Sequence, residues 1–339
     1  HDALPICGLG GANILVSTMM GGVSASNLAD AAMLSRMMVP EMEQKGYSRG
    51  FAAAITASGS LITPIIPPGI ALILYGLVAD VSIGSMFMAG ILPGLLCSAM
   101  LIVTVWLVAI RRGLKPSSEH WPKPKEVSVA LVQAWPALFL IVAVIGGIRA
   151  NIFTPTEAGA VAVLLVMFIG FVIYRELKIS HVFTALSETA RSTASVMLII
   201  MASAALGWIF SLERAGITVA EFVTSLTDNK YVFLLIINLL LLVLGMFLEG
   251  SAILLILVPL LKPVVAHFGI DPVHFGIIMI LNLSLGTLSP PVGTVMLLVC
   301  NTVQVSVGQF MREAVPLLIS LILLLLVITY IPAISLLLV

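Results

Sequence analysis

Apolar residues run through this chain in long stretches, and polar residues collect in a few breaks and loops. The stretches are long enough for membrane helices, which need about 20 apolar residues. They lack the roughly ten-residue alternating segments of an outer-membrane barrel. Residues 4–22 are apolar but hold five glycines, and Val23–Asn27 interrupts them too early for a full crossing. A second run, Leu28–Met38, ends at Pro40. Two short helices around a small, polar tip predict a re-entrant hairpin, tolerated in a bilayer only where protein or a water-filled cavity surrounds it. After the polar loop 41–50, Phe51–Val78 crosses with a break at Pro64–Pro68, and Gly90–Ile110 crosses back. Residues 111–126 form a basic, proline-rich surface loop, and Ala134–Ile148 and Thr156–Tyr174 are further spans. Thr154-Pro155-Thr156-Glu157 reads as a helix start. Arg175–Ala190 is polar and partly a surface helix, Thr193–Phe210 crosses, and Ile217–Leu226 is amphipathic. Tyr231–Met246 and Ile253–Ala266 predict a second hairpin with its tip at 247–251. Pro272–Val299 is a second broken span, interrupted at Leu288–Pro291, and Val315–Ile334 is the last span.

The two broken spans are copies. SGSLITPIIPP at Ser58–Pro68 is echoed by LSLGTLSPP at Leu283–Pro291, with the proline pairs 223 residues apart. Gly46 and Gly269, and Pro93 and Pro316, keep that offset; Val81–Gly84 and Val305–Gly308 match one residue out of step. Asp30 precedes Pro40 by ten residues and Glu249 precedes Pro259 by ten, an offset of 219 that predicts a four-residue insertion and makes the two carboxylates equivalent. The chain thus divides into a first repeat (1–110), a basic loop with connecting and scaffold spans (111–230), and a second repeat (231–339).

Composition settles the class. The chain is 60% hydrophobic and 9% charged, with a mean hydropathy of +1.19, whereas soluble domains carry about 25% charged residues. This is an all-α polytopic membrane protein. A net charge of zero argues against nucleic acid as a partner. If the basic 111–126 loop is cytoplasmic, alternation leaves only Arg149, Arg214, Lys230 and Lys262 of the sixteen Lys/Arg outside. Five crossings separate the hairpins, so the two units lie in opposite orientations, the first hairpin entering from the cytoplasm. Inverted repeats with broken helices characterise secondary transporters that bind substrate near the midplane.

The candidate chemistry sits at the interruptions. Proline breaks free backbone carbonyls, and carbonyls with hydroxyls make the oxygen environment that a small cation requires. The candidates are Ser24, Ser26 and Asn27 at the first tip with Ser58, Ser60, Thr63 and Pro64 at its break. In the second repeat they are Glu249 and Ser251 at the tip with Thr287, Ser289 and Gly293 at the break. One Pro-Pro is read as a simple kink; two copies, each after a hairpin with a polar tip, point to a site. Asp30 and Glu249 are costly at membrane depth without a partner or a function: each is an ion ligand, a proton carrier or a helix-positioning acceptor, or else a structural cap. Cys7, Cys97 and Cys300 read as core thiols, and His181, His267 and His274 share no metal-like spacing. Neither a Walker A sequence nor a Gly-x-Ser-x-Gly or His-Glu-x-x-His motif is present, so ATP-driven pumping and common hydrolase chemistry lack support and the chain reads as no enzyme.

The blocks SNLADAA, VPEMEQKGYSRGFAAAITASGSLITPIIPPGIALILYG, SIGSMFMAGILPG, PTEAGAVAV and LGTLSPPVGTVMLLV resemble the large membrane subunit of TRAP transporters, the DctM-like family. The resemblance spans essentially the whole chain. It implies sodium-driven symport of an organic acid, a carboxylate or sugar acid, across a bacterial or archaeal inner membrane, by an elevator motion. It also implies two partners, a small four-helix membrane subunit and a periplasmic substrate-binding protein. One sodium site would use Ser24 and Ser26 with Thr63, Pro64 and Pro67, and a second Gly245 and Glu249 with Thr287, Ser289 and Pro290, substrate lying between the tips. The family usually has serine where this chain has Gly69, and Ser-Gly-Ser where it has Ser24-Ala25-Ser26. Family chains are longer at the N-terminus, so an N-terminal truncation is expected. A standalone ion-coupled carboxylate carrier or exchanger, needing no binding protein, is the alternative.

Overall fold

A computed structural model describes residues 8–24, 26–114, 135–136, 139–140, 142–150 and 152–339, and its described elements are all helical. The first hairpin is α1 (Gly8–Ser24) and α2 (Asn27–Gln44); the first broken span is α3 (Arg49–Ser60) and α4 (Ile70–Ala79), followed by α5 (Ile83–Arg111). The middle contributes α6 (Pro155–Phe168), prolonged by a π-turn at Ile169–Ile173, then α7 (Ile179–Leu212) and α8 (Ala215–Leu226). The second hairpin is α9 (Lys230–Phe247) and α10 (Gly250–His267). The second broken span is α11 (Pro272–Gly286) and α12 (Thr294–Val303), followed by α13 (Val307–Tyr330) and a short α14 (Ala333–Leu336). Six of the described helices are long and apolar enough to cross a membrane. On α6 and α7 large apolar residues such as Leu164, Leu198 and Trp208 face outward, which suits lipid rather than water.

Cap chemistry fixes the register between the two units. The Oγ of Ser26 accepts from Ala29 N–H and opens α2; the Oε2 of Glu249 accepts from Ala252 N–H and opens α10. Gly46 and Gly269 turn the chain at positive φ, 90° and 60°, a conformation costly for residues with a Cβ. Ser48 and Asp271 then cap α3 and α11. Each pair is 223 residues apart, the same offset as the proline pairs, and both Pro67-Pro68 and Pro290-Pro291 are cis. The expected four-residue insertion is therefore absent. Two prolines interrupt α10, Pro259 and Pro263, and it is Pro263 that matches Pro40. Glu249 corresponds to the cap Ser26, and the counterpart of Asp30 is the buried Ile253.

Other expectations change: α2 does not end at Pro40 but runs through it to Gln44, and α5 begins at Ile83 rather than Gly90. Residues 175–190 and 193–210 do not separate; Ile179–Leu212 is one helix, because that stretch contains no proline and only one glycine. The last span begins at Val307 rather than Val315, capped by Ser306, and holds Pro316 internally. Thr154 and Glu157 form the capping box that opens α6. Of the expected span Ala134–Ile148, residues 142–148 are helical, while the basic loop lies mostly outside the described residues.

The first halves of the broken spans form the centre. Gly50 to Ser60 of α3 and Val273 to Gly286 of α11 are all buried. Small residues in α3 (Ala52, Ala53, Ala54, Ala57, Gly59) let its neighbours approach closely. Each hairpin's first arm is tied to its own broken span: Asn13 donates to Thr56 at 2.7 Å, and Asn282 donates to Asn238 at 2.6 Å. Each hairpin's second arm packs on the other repeat, α2 against α12 and α10 against α4. Where α5 ends, Arg112 pairs with Glu313 at 2.5 Å and lies over the Phe51 ring, while Ser48 donates to Glu313 at 3.1 Å.

Candidate substrate and ion site

The interruptions from both repeats meet at one cavity of about 210 Å³. Ser26, Asn27 and Leu28 line it from the first tip, and Glu249, Gly250 and Ser251 from the second. Pro64, Ile70 and Ala71 contribute from the first break, Ser284, Thr287 and Thr294 from the second. Apart from Pro64, Ser284 and Thr287, these positions are the starts of α2, α4, α10 and α12, whose caps are Ser26, Gly69, Glu249 and Gly293. Four helix N-termini therefore converge, each with about half a positive charge, although at α12 the Val295 and Met296 N–H groups are already taken by Thr287 C=O. Among the described residues, neither lysine nor arginine lines the cavity, and Glu249 is its one ionisable residue. The end of α11 supplies the opposite polarity, where Ser284 donates to Ile280 C=O at 2.8 Å and Thr287 to Ser284 C=O at 2.7 Å.

The two tips are held differently. In the first, Asp30 is buried and accepts from Ser24 Oγ at 2.6 Å and from Thr63 Oγ1 at 2.5 Å, joining tip to break through side chains. Gly21 lets α1 lie close to the same break, for a Cβ there would lie 3.1 Å from Ile66 Cβ and 3.2 Å from Thr63 Cα. The second tip has backbone in its place. A Cβ on Gly286 would come within 2.6 Å of Gly245 Cα, and Gly293 N–H donates to Met246 C=O at 3.1 Å. Glu249 is exposed and acts as a cap, also accepting from Ser251 Oγ at 2.9 Å.

Of the residues expected from sequence, Ser26, Asn27, Pro64, Glu249, Ser251 and Thr287 are brought together at the cavity. Ser24, Thr63, Gly245 and Gly293 stand behind it in the contacts just described. Pro67 is buried away from it, Ser289 donates weakly to Leu285 C=O at 3.4 Å, and Pro290 is exposed. Ser60 bonds to Ala57 C=O, and Ser58 is buried without a side-chain partner. The Thr287 carbonyl accepts from Val295 and Met296 N–H, which closes the second break onto α12. Gly69 fits its place because a Cβ there would meet Pro64 C=O at 2.5 Å. Sequence reading missed Ile70, Ala71 and Thr294, although their position directly after each break was available as a signal. It also missed Val196 of α7, for which no local signal exists. Cys97 and Cys300 are buried, Cys7 lies outside the described residues, and His274 is a buried tie to Ser335 and Thr329 C=O.

A family model described as "Tripartite ATP-independent periplasmic transporter, DctM component" matches residues 6–334. The chain belongs to this family. The DctM assignment agrees with the relatives. A Vibrio cholerae protein named "Sialic acid TRAP transporter large permease protein SiaM" is 40% identical over 97% of this chain and 77% of its own. The "2,3-diketo-L-gulonate TRAP transporter large permease protein YiaN" of Escherichia coli is 35% identical over 96% of this chain and 76% of its own. The "C4-dicarboxylate TRAP transporter large permease protein DctM" of Pseudomonas aeruginosa is 34% identical over 97% and 77%. As a DctM component with several membrane-crossing helices, the chain is a multi-pass transport protein that acts as one part of a tripartite system.

Proposed function

We propose that the cavity between the tips binds an organic anion and that sodium is bound with it, so that the chain performs sodium-coupled uptake across an inner membrane. A periplasmic binding protein delivers the anion, and a small membrane subunit completes the permease. The observation that carries this reading is the convergence of four helix N-termini on one cavity that, among the described residues, has neither lysine nor arginine in its lining. Such termini attract anions through unpaired N–H groups and dipoles, and together they offset the single negative charge of Glu249. The end of α11 and its hydroxyls offer oxygen to a cation beside them. The relatives' names span a sialic acid, a keto sugar acid and C4-dicarboxylates, which share a carboxylate and differ in size.

The reciprocal packing of α2 on α12 and α10 on α4 supports an inverted repeat. It makes the hairpins and broken spans one body, the unit that an elevator motion would carry. Sodium activation of uptake tests the cation half. Ser26→Ala and Thr287→Ala should raise the sodium concentration for half-maximal uptake by about tenfold, the equivalent of one lost oxygen ligand at about 1.4 kcal/mol. Unchanged sodium activation in both variants removes these residues from the ion site.

A further inference from the structure

We infer that Val196 of α7 is a specificity-determining wall of the cavity, limiting the bulk of the anion held between the tips; this rests on the reading of that cavity as the substrate site. All other lining residues come from the hairpins and the broken spans, which pack into one body, whereas Val196 comes from the middle segment. Its position along α7 is particular. From Phe183 to Ser195 every residue is exposed, and partial burial begins at Val196. It continues at Ile200, Ser203, Gly207 and Phe210, a spacing of three and four that keeps one helix face against a neighbour. The helices that α7 packs on are α10, the second arm of hairpin two, and α8. Val196 thus begins the continuous partly buried stripe of α7, and the cavity is at that edge.

The side chain suits a wall. Valine in a helix is held near one rotamer, so an anion pressed against Val196 meets a fixed branched surface. Continuing the same face towards the N-terminus gives Ser192 and Thr189, smaller or more polar and exposed. Bulk at position 196 therefore governs how far an anion extends from the tips towards α7, while the carboxylate end is held by the helix N-termini.

The test measures binding to the purified full-length protein with its small membrane subunit in saturating sodium, which leaves the binding protein's own selectivity out. Dissociation constants for sialic acid and for succinate are read from ligand-induced thermal stabilisation. Val196→Trp should weaken sialic acid about tenfold more than succinate, the scale on which a change of pocket shape discriminates. Val196→Ala should move the ratio the other way. Ile200→Trp, on the same buried stripe but outside the cavity, should leave both constants as they are, which separates a wall from a disturbed helix contact. Wild-type constants in both Val196 variants, with Ser251→Trp at the second tip abolishing binding, would overturn the inference and leave the site standing. If Ser251→Trp is equally without effect, the reading of the cavity itself has failed and the wall falls with it.

Discussion

At the scale of single residues, the first tip depends on Asp30. Its two oxygens accept from Ser24 and Thr63, and both partners would be left buried or half-buried without an acceptor if it were truncated. Breaking such a bond costs about 2 kcal/mol. Thr63→Val, close to isosteric, should lower the thermal stability of the purified protein by that order. Combining it with Asp30→Ala should cost less than the sum of the two, as expected for residues sharing one contact. Additive losses would mean that Asp30 and Thr63 are not coupled. This pairing was half legible. Sequence marked Asp30 as a carboxylate that needed a partner, and marked Thr63 as part of the break, but nothing local joins residues 33 positions apart. Glu249 shows the opposite failure. Its match to Asp30 rested on distance to a proline, and α10 holds two prolines. The cap hydrogen bond to Ala252, which decides its register, is a property of the folded helix end.

At the scale of elements, the hairpins and breaks were written in composition because proline, glycine and hydroxyl clusters end helices for local reasons. Helix α7 was not. Its N-terminal half is polar enough to resemble a surface segment, and continuity follows only from the lack of a breaker. Nor could sequence foresee which glycines are contacts. Gly286 of α11 lies against Gly245 of α9, so a Cβ there would sit 2.6 Å from backbone. Gly286→Ala should therefore push the second hairpin off its broken span, with a cost of about 1–3 kcal/mol from overpacking. Gly308→Ala, in α13 with nothing within 4 Å of the added carbon, should instead stabilise by up to about 1 kcal/mol through helix propensity. Thermal unfolding of the two variants side by side reads the difference. Equal behaviour would deny the close α9–α11 contact its role.

At the scale of the whole molecule, duplication turns two modest signals into one site. Neither tip nor either break lines the cavity alone; the second arm of each hairpin reaches the other repeat and brings four helix starts to one cavity. The fold class, the duplicated halves and the interrupted helices were legible because apolar runs and breakers are local. The cavity's outer wall was not, because Val196 is an ordinary apolar residue in an apolar helix. The central claim is that this cavity couples an organic anion to sodium in a binding-protein-dependent permease. The most direct measurement is uptake of labelled organic acids into proteoliposomes containing the full-length protein and its small membrane subunit. Each acid is run with and without a sodium gradient and with and without the binding protein. The account predicts accumulation only when sodium and binding protein are both present; equal accumulation after either is withheld would contradict it.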